Sequence, residues 1–213
     1  MNDTAIEWCD CTLNPVVGCT FGCPFCYARR LNDRFHFVED FSKPQFFPER
    51  LKQLYSKKPK TIFMDSMSDI ADWKGPWMHQ TIRSIEENPQ HKYIFLTKRP
   101  EICTCLMAGR PKNVLLGMSV PTQKMAETAF EWCRSGIDFL SLEPLLEPVF
   151  PIPVNAKWII VGAQTGPGSA VHQPRREWIQ DIVDQCRSAG VPVFLKSSLA
   201  DVWDAPLIQE FPW

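Results

Sequence analysis

The sequence predicts an α/β protein built on a parallel sheet, and three observations carry that prediction. Short apolar runs recur along the chain: TIFMD (61–65), KYIFLT (92–97), NVLLGMSV (113–120), DFLSLEP (138–144), KWIIVGA (157–163) and VPVFLKS (191–197). Runs apolar on both faces read as buried parallel strands. Segments of helical length separate them, and strand alternating with helix argues for right-handed crossovers in one sheet. Finally, about six or seven such units favour a closed or partial (β/α) barrel over a doubly wound sheet, although 213 residues is short of the ~250 of a full barrel.

In chain order, residues 13–18 (LNPVVG) read as a short first strand, and a helix from Tyr27 to Phe35 should follow. The aromatic segment FHFVEDFSKPQFFPE is expected to be irregular. Pro48 then opens a helix running to about Lys57, since Pro in the first turn with Glu49 beside it suits a helix start. After TIFMD a helix spans Trp77 to Glu87 and ends near Asn88-Pro89. A short helix from Arg99 to Met107 follows KYIFLT, and another from Gln123 to Ser135 follows NVLLGMSV. The last helix, Arg176 to Ala189, precedes Gly190, which sits where a C-cap belongs.

Composition narrows the classes. A hydrophobic content of 45% supports one well-buried core, and the expectation is one domain over 1–213. No apolar run approaches the ~20 residues that span a bilayer. The net charge of −1 provides no global basic field for nucleic acid or anionic membrane, although local basic groups remain. The N-terminus MNDTAIEW has neither a basic start nor an apolar run, so no signal peptide is expected. Nine cysteines are too few for a disulfide scaffold and odd in number, consistent with a reducing cytoplasm.

The stretch with the clearest chemistry is NPVVGCTFGCPFCYARR, from Asn14 to Arg30. Cys19, Cys23 and Cys26 are spaced C-x-x-x-C-x-x-C, with Gly22 and Pro24 shaping the loop. Such a turn can bring the three thiolates together, and soft thiolates select zinc, copper or iron–sulfur clusters. A structural zinc or an electron-transfer cluster normally takes four protein ligands. Three leave one metal position open. A zinc knuckle would need a fourth ligand, for which Cys9, Cys11 and His36 are the candidates.

Cys19, Cys23, Phe25 and Cys26 resemble the signature loop of radical S-adenosylmethionine (SAM) enzymes, in which an aromatic precedes the third cysteine. With IEWCDCTLNPVVGC, FLTKRP and LSLEPLL, the chain is similar over most of its length to a phage- and prokaryote-encoded radical-SAM-like family of unassigned function. That resemblance implies a partial (β/α) barrel of about six to seven parallel strands. It implies a 4Fe–4S cluster on Cys19, Cys23 and Cys26 in the loop 19–26, with SAM chelating the fourth iron. An electron, from an external donor such as flavodoxin or ferredoxin, would split SAM to methionine and a 5′-deoxyadenosyl radical. The resemblance leaves the substrate unidentified. The phage-type setting, the local basic residues and a likeness of the cysteine loop to DNA-repair lyases of the superfamily point to a nucleic acid or nucleotide, with a protein partner that holds the substrate also open.

In a parallel barrel the active site lies at the C-terminal strand ends, and polar residues gather there. Ser66, Ser68 and Asp69 follow TIFMD, and by position in radical SAM enzymes they are candidates for the SAM amino group. The usual glycine-glycine-glutamate form is absent there. Thr97, the last residue of KYIFLT, and Lys98 and Arg99 after it suit a SAM carboxylate or a phosphate. Ser119 is a ribose candidate. Phe25 would pack by the adenine. Glu143, before Pro144, would hold ribose hydroxyls or a substrate donor, or pair with Lys98 or Lys196. The glycines of VGAQTGPGSA allow close approach to a ligand but form no dinucleotide fingerprint. Arg175 and Arg176 open a helix where cations oppose its dipole, a hint of anion binding. Cys103 and Cys105 read as packing, and Cys9 and Cys11 fall short of a second cluster.

Two other classes compete with a radical SAM enzyme. One is a non-catalytic metal- or iron–sulfur-binding interaction protein on the same fold, which predicts a fourth protein ligand and no SAM affinity. The other is a metal-free small-molecule binder, for which the cysteines are dispensable.

Overall fold

The apolar runs fold as strands and the segments between them largely as helices in a computed structural model that describes residues 1–103 and 109–213. In chain order they are β1 (Cys11–Thr12), β2 (Val16–Val17), α1 (Tyr27–Phe35), β3 (Gln45–Phe46), β4 (Thr61–Phe63), α2 (Gly75–Glu86), β5 (Lys92–Thr97), β6 (Val114–Ser119), α3 (Gln123–Ser135), β7 (Phe139–Leu142), β8 (Trp158–Val161), α4 (Arg176–Ala189) and β9 (Val193–Leu195). Seven strands form one sheet in the order β1-β4-β5-β6-β7-β8-β9. The α/β class and the parallel strand order of a partial (β/α) barrel are both present. The chain packs as two compact units, Met1–Leu115 and Leu116–Trp213.

In the first unit, β1 pairs parallel with β4 (Cys11 opposite Ile62) and β4 with β5 (Ile62 opposite Tyr93). Of the strand expected over 13–18 only Val16–Val17 forms; β1 lies before that span, at Cys11–Thr12, and the chain breaks between them at Asn14-Pro15. Pro15 has no N–H for a ladder. The Asn14 side chain turns away to accept the Met67 N–H at 2.9 Å and donate to the Ser66 hydroxyl at 2.9 Å. Beyond that break Val16–Val17 leaves the sheet and pairs antiparallel with Gln45–Phe46, inside the segment expected to be irregular. The helix expected from Pro48 is a 3₁₀ helix, Pro48–Tyr55, and a second, Pro100–Ile102, begins where a helix to Met107 was expected. Residues 104–107 of that expected helix, including Cys105, lie outside the described residues.

Gly18 ends this entry segment. Its φ of 113° is closed to L side chains, and a Cβ there would come within 2.8 Å of the Pro44 Cα. The Gly18 N–H donates to the Met67 carbonyl (2.9 Å) and the Cys19 N–H to the Phe41 carbonyl (2.7 Å). The chain therefore reaches Cys19 pinned from two sides.

In the second unit β7 pairs with β8 (Leu140 opposite Ile159) and β8 with β9 (Ile160 opposite Phe194). The bounds expected for α3 and α4 are the observed ones, with Gly136 and Gly190 at their C-caps. The edge of β9 is covered by the chain's own tail: Leu195 N–H donates to the Ile208 carbonyl and Glu210 N–H to the Val193 carbonyl. Trp158 anchors that tail through its indole N–H to the Glu210 carbonyl (2.8 Å) and by packing on Phe211 and Trp213.

Gly117 on β6 faces Phe139, and a Cβ there would fall within the ring. Phe139 is fully buried against Trp158 and has nowhere to move. Gly117→Ala is expected to lower stability by about 1–3 kcal/mol in urea unfolding. Adding Phe139→Leu should recover part of the loss; unchanged stability in the single variant would contradict this packing.

Candidate functional site

The 3₁₀ turn Ile70–Asp72 after β4 and the residues at the end of β5 receive the cysteine loop within the first unit. Asp69, buried, caps the 3₁₀ turn Ile70–Asp72 by accepting the Ala71 N–H (3.0 Å). The same carboxylate accepts the Thr97 hydroxyl (2.7 Å) and the Lys98 N–H (3.0 Å). It thereby locks the end of β4 to the end of β5. Four residues earlier Asp65, fully buried, accepts the Leu96 N–H through both oxygens (3.1 and 3.2 Å). Burial, with Asp69 nearby, pushes the Asp65 carboxyl well above the ordinary range.

From this platform Asp72 reaches the cysteine loop. Its carboxylate accepts the Thr20 N–H (2.8 Å) and the Thr20 hydroxyl (2.7 Å), and Arg99 Nη2 lies 2.9 Å away. Arg99 Nη1 completes the clasp by donating to the Thr20 hydroxyl oxygen (3.1 Å). Burial alone would raise the Asp72 pKa; the bonds from Arg99 and Thr20 outweigh it and hold the group below 3.8. The sign follows: the clasp contributes fully above the unfolded value of 3.8 and is lost as pH falls through the depressed folded value.

The three thiols sit at the start, crown and end of the loop, and each is half-buried. The Cys19 sulfur accepts the Phe21 N–H (3.4 Å). Cys26 is the N-cap of α1, its sulfur accepting the Arg29 N–H (3.4 Å), and its own N–H donates to the Cys23 carbonyl (3.2 Å). Cys19 and Cys26 rest on an apolar bed of Val17, Ala28, Val38, Phe41 and Met67. Burial pushes the Cys19 thiol up to about 12. Burial also raises Cys23, opposed by the Lys98 ammonium. Asp69 acts on both thiols, so Cys19, Cys23, Cys26, Asp69 and Lys98 share one neighbourhood.

The other candidates at the end of β4 have partners within the chain. Ser66 bonds Asn14, and its carbonyl accepts the Tyr27 hydroxyl (2.6 Å). The Ser68 hydroxyl oxygen accepts the Trp73 indole N–H (3.0 Å). Phe25, half-buried, gives its carbonyl to Arg30 (3.5 Å). Cys9 and Cys11 lie beside the first residues of β4, at the end of the strands away from the cysteine loop. Cys103 is buried, as packing requires.

Ser119 and Glu143 belong to the second unit. Ser119 is buried at the end of β6, opposite Ser141. Glu143, next to a cis bond to Pro144, pairs with Lys196 rather than Lys98. Gly162 makes room for that pair, since a Cβ there would stand 3.0 Å from the Glu143 carboxyl carbon. Arg176 is ion-paired to Asp204 (2.7 Å), and Arg175 lies over Trp178, which accounts for two cations opening α4.

Sequence reasoning missed Asn14, Thr20, Tyr27 and Asp72. Asn14-Pro15 carries a turn signal that could have marked the break. The others act across 39 to 52 residues, and no local pattern announces them.

A protein family described as a protein of unknown function, DUF5131, matches residues 3–202. The chain belongs to the DUF5131 family. The matched span contains the cysteine loop and both carboxylates that anchor it, and stops short of the tail on β9. No curated protein matches this DUF5131 chain.

Asp72→Ala should lower stability by about 2 kcal/mol, because it leaves the part-buried Arg99 guanidinium without its counter-ion. Combined with Thr20→Val the loss should fall short of the sum in a double-mutant cycle. The difference from wild type should begin to shrink below pH 3.8 and close only once the pH has fallen past the depressed folded value. Additive losses would show that the clasp is not one unit.

Proposed function

We propose that this protein is a radical SAM enzyme whose Cys19, Cys23 and Cys26 hold a 4Fe–4S cluster. The observation that carries the reading is the combination of three half-buried thiols on a pinned loop with a guanidinium beside them that is only partly satisfied. Arg99 is ion-paired to Asp72 and donates to Thr20, yet its Nε is buried with no hydrogen-bond partner. Arg99 also acts on the Cys19 thiol. Orphaned buried N–H groups are costly, and an anionic thiolate–sulfide centre would supply acceptors. Among the described residues no three Cys, His, Asp or Glu side chains are gathered at metal-binding distance, so the thiols would have to converge on the cluster.

Cys19, Cys23 and Cys26 would hold the cluster, whose chemistry there would be one-electron reductive cleavage of SAM, with the electron drawn from an external donor. The chain's own residues prepare the place. Burial keeps Cys19 and Cys23 protonated at neutral pH, so their protons leave only as metal arrives. The positive end of the α1 dipole, met by Cys26 as its N-cap, favours an anionic ligand set. Lys98 and Arg99 would offset the remaining negative charge, and the influence of Lys98 on Cys23 supports it as the partner of the SAM carboxylate. The apolar bed under Cys19 and Cys26 keeps water from that side.

A four-ligand zinc site is less well supported. His36 caps the far end of α1, about 15 Å along the helix from Cys26. Cys9 and Cys11 lie at the opposite end of the strands. None of the three fourth ligands considered is at the loop.

Anaerobically iron-loaded, reduced protein should convert SAM to 5′-deoxyadenosine, and Cys23→Ala should lose at least about a hundredfold of that rate. A reducible cluster that leaves SAM intact would contradict the proposal and favour a non-catalytic metal-binding protein.

A further inference from the structure

The outward face of α1 is an unusual surface. Tyr27, Arg30, Leu31, Arg34 and Phe35 recur at i, i+3, i+4, i+7 and i+8, one face of a helix. All five are exposed, and Phe37 just beyond is exposed too. Phe35 is 53% and Phe37 47% exposed, and their rings lie 5.8 Å apart. Arg34 stacks over Phe35 at 5.0 Å. Burial of the helix is accomplished by its other face, through Ala28 and Asn32.

The charge on this face is one-sided. Arg30 and Arg34 are one turn apart, a repulsive spacing, and neither pairs with a carboxylate among the described residues. Asp33, the only acid of α1, lies off the stripe. Exposed rings interleaved with guanidinium groups match a polymer that alternates flat bases with phosphates. An acidic protein surface would call for the arginines but not for three rings among them. α1 begins at the residue after Cys26 and runs about 12 Å from Tyr27 to Phe35. A strand laid along it passes beside the cysteine loop.

We propose that this face of α1 binds single-stranded nucleic acid, with Arg30 and Arg34 on phosphates and Tyr27, Phe35 and Phe37 stacking on bases. Its role as substrate rests on the reading of the cysteine loop above; the binding itself does not. The net charge of −1 makes the contact local and salt-sensitive.

The test is fluorescence anisotropy of a labelled single-stranded DNA oligonucleotide of mixed sequence, titrated with the full chain at low salt. Wild type should bind, and Arg30→Glu with Arg34→Glu should weaken binding at least about tenfold and lower the log–log salt slope by about two. Phe35→Ala with Phe37→Ala should also weaken it about tenfold, with the salt slope unchanged. No binding by the wild type, wild-type affinity in both variants, or equal affinity for the duplex of the same sequence would overturn the proposal. So would retained oligonucleotide binding in arginine variants that lose an acidic flavodoxin, which would assign the face to a protein partner. The titration needs no cluster. Binding without SAM cleavage would sink the enzyme reading alone, and SAM cleavage without binding would sink the nucleic-acid reading alone.

Discussion

Two carboxylates one helical turn apart, Asp69 and Asp72, set the geometry on which the cysteine loop depends. Asp69 joins the ends of β4 and β5 by accepting from Ala71, Thr97 and Lys98. Asp72, at the end of the turn that Asp69 caps, holds Thr20 by its N–H and its hydroxyl. A three-residue 3₁₀ turn thus transmits the position of the sheet to the residue next to Cys19. Gly18 and Asn14 fix the same segment from its other end, through Met67.

The same arrangement carries an electrostatic cost. Carboxylates close to Cys19 and Cys23 oppose thiolate formation, in the same direction as burial. Lys98 and Arg99 answer them: one faces Cys23, the other spans Thr20 and Asp72. The balance keeps Cys19 and Cys23 protonated at neutral pH, with cations beside them. A site meant only to pack would need neither the cations nor the half-exposed sulfurs, and buried Cys186 and Cys103 show what packing cysteines look like here.

Much of the scaffold was legible because its signals are local. The apolar runs announced the strands, and Gly190 marked the end of α4 to the residue. The failures have a common cause. The strand expected over 13–18 breaks because Asn14 bonds to Ser66 and Met67, more than 50 residues away. The β2–β3 ribbon, the Asp72 clasp and the tail on β9 likewise depend on partners distant in sequence. The three cysteines were readable from spacing; the residues that hold them were not. Ser66 and Ser68, singled out by position alone, turn out to bond Asn14 and Trp73.

On the proposed reading, three thiols held this way leave one metal position for a small molecule. The decisive experiment is Mössbauer spectroscopy of anaerobically iron-loaded protein, recorded with and without SAM. The expected result is a 4Fe–4S spectrum in which one iron site alone changes when SAM is added, and none does in Cys26→Ala. A cluster whose iron sites are all indifferent to SAM, or one that assembles fully without Cys26, would contradict it.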